Sequence, residues 1–296
     1  MRHRPSYYFI ISAAAALSAC RTTQPGREPA PETTPAPSPA TPATPPRTDS
    51  SAATWEFRYR PGRYRYEIRQ TATIELTEGD SAQRTSPIET ATRYTLTIVP
   101  KGEQLQIAGT VDSFSIKRGR VPPSPDSTIT GQSGFVATIT SAGTLVAFQG
   151  PPGDSCDAKA TVAQAAQELF PELPERLTVG QRWHDTTTAL RCHGGVAISS
   201  STASAYRVLG AETSRKRAII RIERGYVTRL AGKASYRRQP FEVAGEDRGT
   251  MTLHVDPARG YILGWTERST ATFQISAGSS RNTFRQELNR TATALP

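Results

Sequence analysis

Residues 62–76 read GRYRYEIRQTATIEL, and their alternation of apolar and polar side chains decides the fold class. Apolar and aromatic residues fall mainly on even positions, from Tyr64 to Leu76, whereas arginine, glutamate and threonine fall on odd positions. A period of two predicts a β-strand with one buried face and one solvated face. The step Pro61-Gly62 shifts the phase of the preceding residues, and we interpret it as a bend or bulge, because an uncorrected slip would bury the arginines.

The same alternation recurs along the rest of the chain and predicts an all-β domain. Residues 55–292 contain on the order of ten or more such runs joined mostly by short turns, which favours an antiparallel barrel or two packed sheets. In the C-terminal run, Tyr261, Leu263 and Trp265 share the parity of Phe273, so we expect these four side chains on one face of a long strand.

One stretch has the period of a helix instead. Residues 159–170, KATVAQAAQELF, are rich in alanine and glutamine and carry an apolar stripe that ends at Leu169 and Phe170. Pro171 and Pro174 would end the helix. We therefore expect one short helix that connects two groups of strands.

The two groups of strands share a pattern. Four anchors recur in the same order, offset by roughly 110 to 120 positions, which suggests a duplicated β unit with repeats at 55–150 and 177–276. The anchors pair Gly62-Arg63-Tyr64 with Gly180-Gln181-Arg182-Trp183, Tyr94-Thr95-Leu96 with Tyr206-Arg207-Val208, residues 105–116 with 218–230, and residues 134–143 with 249–260. Two unrelated antiparallel halves could share such patterns, so both interpretations stay open.

The N-terminus, MRHRPSYYFIISAAAALSAC, has a basic head and an apolar run from Tyr7 to Leu17 that is too short for a permanent membrane span. Its end, Leu17-Ser18-Ala19-Cys20, resembles the lipobox of bacterial lipoprotein precursors. The resemblance implies a signal peptide at residues 1–19, and acyl chains on Cys20, which would become the new N-terminus and attach the protein to a membrane.

Residues 20–53 follow as a lipidated cysteine and a segment rich in proline, threonine and alanine, without large apolar side chains. Such a composition cannot bury enough surface to fold, so we expect an extended tether that could reach on the order of 100 Å at ~3.1 Å per residue. Arg21 replaces the aspartate that tends to retain similar lipoproteins in the inner membrane, which favours the outer membrane. The β domain would occupy residues 54–296.

A short motif links the folded domain to other exported proteins. Residues 174–183, PERLTVGQRW, contain a P-x-x-L-x-V-G-x-x-W pattern that resembles one found in uncharacterised exported β-proteins of bacterial envelopes. There the motif usually leads into a new strand, so we expect a strand to begin near Trp183.

The cysteine count suits an oxidising compartment. With Cys20 lipidated, Cys156 and Cys192 remain, and an even remainder outside the cytoplasm favours a disulfide, worth roughly 3 to 4 kcal/mol on the chain-entropy model. Metal binding is the alternative, because His193 follows Cys192 and His184 lies nearby. Four ligands at zinc-finger spacing are absent from the sequence, so we predict neither a metal site nor a cofactor.

Catalytic patterns are weak. Gly153-Asp154-Ser155 superficially matches a serine nucleophile but lies in a proline-rich turn, without the strand–turn–helix context. His254 falls on the polar parity of its strand, and no glycine-rich phosphate loop follows a strand. The acidic residues considered as a catalytic pair have no sequence relationship that brings two together: Asp112, Glu223, Glu246 and Asp247. We therefore predict no catalytic residue and no enzyme.

Charge suggests the partner. The chain has a formal net charge of +10, carried mostly by arginine, which suits an anionic envelope partner such as lipid phosphate or polysaccharide. Nucleic acid is a poor candidate for an exported chain.

The sequence therefore favours a membrane-anchored envelope lipoprotein whose β domain is a binding or scaffold module. The alternative is a carrier of a lipid or another apolar ligand, similar in plan to half-barrel lipoprotein-localisation proteins. Ser199 to Ser204, almost all small and polar, favour the binding module.

Overall fold

The structure, a computed structural model, describes residues 53–78, 81–119, 124–125, 134–149, 167–193, 196–214, 217–236, 239–278 and 280–296. The expected signal peptide, Cys20, most of the expected tether and Cys156 lie outside these ranges. No helix among the described residues has the length and apolar character needed to cross a membrane.

Strands account for most of the described chain, and the alternation of side chains explains them. They are β1 (Thr54–Glu56), β2 (Gly62–Glu78), β3 (Ser81–Arg84), β4 (Ile88–Lys101), β5 (Gln104–Arg118), β6 (Ser124–Pro125), β7 (Phe135–Ile139), β8 (Leu145–Gln149), β9 (Arg176–Thr178), β10 (Arg182–His193), β11 (Val196–Ser214), β12 (Arg217–Tyr236), β13 (Gln239–Asp256), β14 (Tyr261–Ala277) and β15 (Ser280–Leu295).

These strands form one large antiparallel sheet and one small one. The large sheet has 13 strands in the order β10-β11-β12-β13-β14-β15-β2-β4-β5-β7-β8, with β3 and β6 paired at its side. The small sheet pairs β1 with β9. Since every pairing is antiparallel, the predicted all-β antiparallel fold is confirmed.

The inner face of the large sheet carries the hydrophobic core. Tyr66 of β2, Leu96 of β4 and Ile222 of β12 are at most 1% exposed and belong to one cluster. Tyr206 joins this cluster, and Tyr64 packs against it while remaining partly exposed. The even-numbered aromatic residues of β2 therefore lie on the core side, as the alternation predicts, and Tyr206 of β11 lies on the same side.

Two short segments complete the core. Phe57 and Tyr59, which follow β1, are buried, and the backbone N–H of Phe57 donates to the carbonyl of Glu175. Residues 167–169 form a helical turn, whereas 159–166 lie outside the described residues, so the described part confirms only the end of the expected helix. Leu169 and Phe170 are buried in the same cluster.

The predicted face of β14 needs one correction. Ile262 is fully buried and Leu263 is partly exposed, because a register shift between His254 and Val255 leaves Leu263 as an extra residue. Gly264 follows the extra residue, and a Cβ there would lie 2.2 Å from the carbonyl oxygen of Ala292. Before the bulge, the even-numbered residue Ile262 faces the core, whereas from Trp265 onward the odd-numbered residues do.

The predicted duplication stays a prediction. The paired anchors lie on β2 and β10, on β4 and β11, on β5 and β12, and on β7 and β13, in the same order in both halves. Shared order alone does not separate a duplicated unit from two antiparallel meanders that resemble each other.

Candidate functional site

The outer face of the large sheet is rich in arginine. Arg63, Arg65 and Arg69 of β2 are exposed on the face opposite Tyr66, as the alternation predicts. Glu67 accepts hydrogen bonds from Arg69 at 2.6 Å and from Arg93 at 2.9 Å. These hydrogen bonds lower the pKa of the Glu67 carboxyl, so Glu67 is the shared acceptor of two arginines in a surface that keeps a net positive charge.

A groove of about 430 Å³ crosses strands β12 to β15. Its walls are two rows of outward-facing side chains that cross β13, β14 and β15. One row consists of Arg248, Thr270 and Glu287, and the other of Thr250, Arg268 and Asn289. Because the pleat sends alternate residues to opposite faces, these rows belong to the solvated face. The groove therefore offers hydroxyl, amide and guanidinium groups.

The charges of the groove are unevenly balanced. Arg248 forms an ion pair with Glu246, and Glu287 pairs with Arg84 at 3.2 Å and with Arg285 at 3.3 Å. Arg268 lies between these pairs on β14, is exposed, and makes no ion pair within the part of the chain that the structure describes. The net positive charge of the groove is therefore concentrated on the Arg268 guanidinium.

A buried ionic cluster lies beneath the groove, on the inner face. The Nη1 atom of Arg290 donates to Glu267 Oε2 at 3.0 Å and to Glu168 Oε1 at 2.7 Å. Tyr226 donates its hydroxyl to Glu267 Oε1 at 2.6 Å. The tyrosine lies over Gly249, whose absent Cβ would lie 2.5 Å from the tyrosine oxygen. Strands β12 to β15 are therefore held together directly under the groove.

Burial sets the protonation behaviour of this cluster. It raises the pKa of the Glu267 carboxyl above its ordinary value, although Arg290 partly opposes the change. Burial also raises the pKa of Tyr226, and the negative charge of Glu267 adds to this increase. Burial disfavours the charged form of Arg290, but the neighbouring Glu168 and Glu267 outweigh it and raise the arginine pKa. The guanidinium therefore keeps its charge in the interior.

A second polar group lines the inner face near β10. Arg224 donates two hydrogen bonds to Ser204, at 3.1 and 2.9 Å, and its guanidinium lies over the rings of Tyr206 and Tyr226. Tyr206 donates to Asp185 at 3.0 Å, and burial raises the pKa of Tyr206 to about 12. The inner face thus passes from an apolar core to a belt of paired polar side chains.

Several residues named from the sequence lie apart from these sites. Cys20 and Cys156 lie outside the described residues, and Cys192 lies in β10 with its side chain outside the description, so lipidation and the disulfide stay predictions. His184 is exposed on the outer face of β10. Among the described residues, no group of three metal-ligating side chains is close enough to hold an ion.

The acidic residues considered for catalysis also lie apart. Asp112 is exposed and accepts from Thr95 at 2.7 Å, whereas Glu246 is paired with Arg248. Glu223 lies on the outer parity of β12 and is exposed, and Asp247 lies on the inner parity of β13. Glu223 and Glu246 share the outer face, but Glu223 lies opposite Thr252, six positions along β13 from Glu246, so the two carboxylates do not form a pair.

Sequence reasoning missed Arg268, Glu267 and Arg290. A signal for Glu267 exists, because this residue interrupts the apolar parity between Trp265 and Phe273 in a strand that is otherwise buried on that face. The local sequence pattern does not distinguish Arg268 from the other arginines at solvated positions of the strands. Its position in a groove depends on the pairing of four strands, which local alternation does not specify.

Comparison with known proteins gives weak matches. No protein family matches the chain, and no curated protein matches it. The structure of an exported protein with a YmcC-like fold from Bacteroides fragilis is 8% identical, and the match covers 82% of this chain and 98% of the other, with a TM-score of 0.23.

Two further solved structures show similarity at the same level. A DUF1329 family protein from Desulfovibrio piger is 9% identical, covering 75% of this chain and 83% of its own, with a TM-score of 0.18. OccK2 from Pseudomonas aeruginosa is 7% identical, covering 79% of this chain and 98% of its own, with a TM-score of 0.20. TM-scores this low carry no argument about function.

Proposed function

We propose that this chain is an envelope lipoprotein whose β domain binds an anionic envelope component through its outer face, without catalysing a reaction. The observation that carries the proposal is Arg268, an exposed cation without an ion-pair partner among the described residues, in a groove of about 430 Å³. An anionic group of a ligand would supply the missing counter-charge.

The neighbours of Arg268 support a ligand that carries hydroxyl groups as well as charge. Thr250 and Asn289 lie directly opposite Arg268 on the two adjacent strands. Their side chains donate and accept hydrogen bonds, which suits a carboxylate or phosphate attached to a polar molecule. Arginine can bind either anion through two parallel N–H groups.

The floor of the groove supports a stable site. Glu267, Tyr226 and Arg290 join three of its four strands on the opposite side of the sheet. Because these side chains are buried, the strand register that places Arg268 beside Thr250 and Asn289 is held from below. A preorganised site loses less conformational entropy on binding.

The alternative function, transport of a lipid in a β cavity, has less support. Ser200, Thr202, Ser204 and Thr228 are buried polar residues of the inner face, and Thr202 and Thr228 share a hydrogen bond of 2.8 Å. An acyl chain on this belt would leave hydroxyl and carboxylate groups without water, which costs free energy.

The proposal is tested by comparing the ligand affinities of two variants that each lose one arginine and therefore have the same net charge. We expect Arg268→Gln to weaken the affinity of the full-length protein for polygalacturonate, a polyuronate probe, by at least about ten-fold in calorimetry, because one charged hydrogen-bond pair is lost. Arg281→Gln is the matched control, since Arg281 is exposed on β15 outside the groove. Equal effects of the two substitutions, or no binding by the unmodified protein, would overturn the proposal.

A further inference from the structure

Another concentration of positive charge on the outer face lies at the edge strand β10. Arg182 of β10 lies directly opposite Arg207 of β11, and both are exposed. Like charges directly opposite each other in a sheet destabilise the pair unless a counter-charge lies near. Neither arginine makes an ion pair with another residue in the described ranges, and Glu223, which lies opposite Arg207 on β12, balances only one of the two charges. The pair therefore keeps a net positive charge that suits an anionic group.

The outer face between this arginine pair and the groove carries small side chains. Thr250 lies opposite Gly225, which lies opposite Ala205 on β11. A Cβ added at Gly225 would meet no atom within 4 Å, so the outer face is open there. Between Arg268 and Ala205, which precedes Arg207 by two positions on the same face, the outer row therefore carries only small side chains, and Glu223 flanks this row.

We propose that the groove and the arginine pair bind one linear anionic polysaccharide, which crosses the strands from Arg268 to Arg182 and Arg207. This inference rests on the proposed function, because it assigns the anionic ligand to a polymer with repeated charges. Strands β10 and β14 are four strand spacings of about 4.8 Å apart, so the chain must span about 19 Å. Because positive charge lies both at Arg268 and at the Arg182 and Arg207 pair, a polymer with repeated anionic groups fits the surface better than a ligand with a single anionic group.

A polymer is also preferred over a membrane surface. The two outward-facing rows beside the groove carry threonine, asparagine and charged side chains, whereas Leu288 and Tyr226, which also line it, belong to the inner parity of their strands. The outward rows of the described groove therefore offer no large apolar side chain that could insert into a bilayer. A polymer chain with hydroxyl groups can use the threonine and asparagine side chains along its length. The unfavourable neighbour on the path is Glu223, which lies opposite Arg207 and would repel an acidic chain.

A length series tests the inference on the full-length protein. The double substitution Arg182→Gln with Arg207→Gln should weaken binding of a long oligogalacturonate by about ten-fold, and change binding of the disaccharide by less than about two-fold. Arg268→Gln should weaken both ligands. Glu223→Gln should strengthen binding of the long oligomer by about two-fold or more, because it removes a repulsive charge.

The outcomes separate the inference from the function on which it rests. Equal effects of the double substitution on short and long ligands, or no effect on either, would overturn the extended site while leaving the Arg268 site in place. No binding of either ligand would overturn both. Binding to phosphatidylglycerol vesicles without binding to oligogalacturonate would also overturn the polymer and assign the arginines to a membrane surface. All four arginine and glutamate positions are exposed, so each variant should retain the thermal unfolding midpoint of the parent.

Discussion

Arg290 and Glu267 form a buried ion pair of 3.0 Å, in which the arginine side chain is 10% exposed and the glutamate side chain 5%. The pair joins β15 to β14, and Glu168 binds the same guanidinium from the segment that carries Leu169 and Phe170 into the core. A buried arginine between two carboxylates therefore links the sheet to the segment that covers its inner face.

Removal of this guanidinium should be costly. Arg290→Met leaves Glu168 and Glu267 buried without a counter-charge, so we expect the free energy of unfolding to fall by about 3 to 5 kcal/mol in urea denaturation. Arg285→Met is the control on the same strand, because it removes an exposed ion pair with Glu287 and should cost less than about 1 kcal/mol. Similar losses for the two variants would show that the buried pair does not hold the segment.

Stability should depend on pH through Glu267. Burial raises its folded-state pKa, so the folded protein holds a proton that the unfolded chain releases between the ordinary and the raised values. The contribution of Glu267 to stability is therefore complete below the ordinary carboxyl pKa and is lost as pH rises through the folded value. We expect the unfolding free energy of Glu267→Gln, relative to the parent, to increase as pH rises across this window.

Glu67 gives the opposite slope and serves as the comparison. Hydrogen bonds from Arg69 and Arg93 lower its pKa, so its contribution is present above the ordinary carboxyl value and is lost as pH falls through the lowered folded value. Denaturation curves of Glu67→Gln and Glu267→Gln over a series of acidic pH values should thus diverge in opposite directions. Parallel curves would contradict both assignments.

Two glycines on neighbouring strands should respond differently to alanine. A Cβ at Gly249 would lie 2.5 Å from the hydroxyl oxygen of Tyr226, so Gly249→Ala must displace the tyrosine and should reduce the free energy of unfolding by about 1 to 3 kcal/mol. A Cβ at Gly225 meets no atom within 4 Å, so Gly225→Ala should leave stability nearly unchanged. Thermal or urea unfolding of the two variants measures the contrast, and equal stabilities would argue against the packing of Tyr226 on Gly249.

The lipoprotein assignment has its own test. If Cys20 carries the acyl chains, Cys20→Ala should abolish incorporation of a fatty-acid analogue and leave the protein unprocessed or released from the membrane. Cys192→Ala should keep the label, since we predict that this cysteine pairs with Cys156 and carries no lipid. Label that persists on Cys20→Ala would exclude the lipobox.

Local alternation predicted much of the fold and little of the site. The buried parity of Tyr66 and Ile68 follows from a period of two, because each strand needs one apolar face. The bulge at Leu263 could not be predicted in this way, since it depends on how β14 meets β13. The groove at Arg268 depends on the register of four strands, and register is a property of non-local pairing.

The most direct test of the anion-binding account is residue-resolved modification of arginine by phenylglyoxal, with and without polygalacturonate. Mass spectrometry of the full-length protein would report the fraction modified at each position. The account predicts that the polymer protects Arg268, and then Arg182 and Arg207, while Arg281 stays as reactive as in the free protein. Protection of Arg281 to the same degree as Arg268, or no protection at Arg268 under saturating polymer, would contradict it.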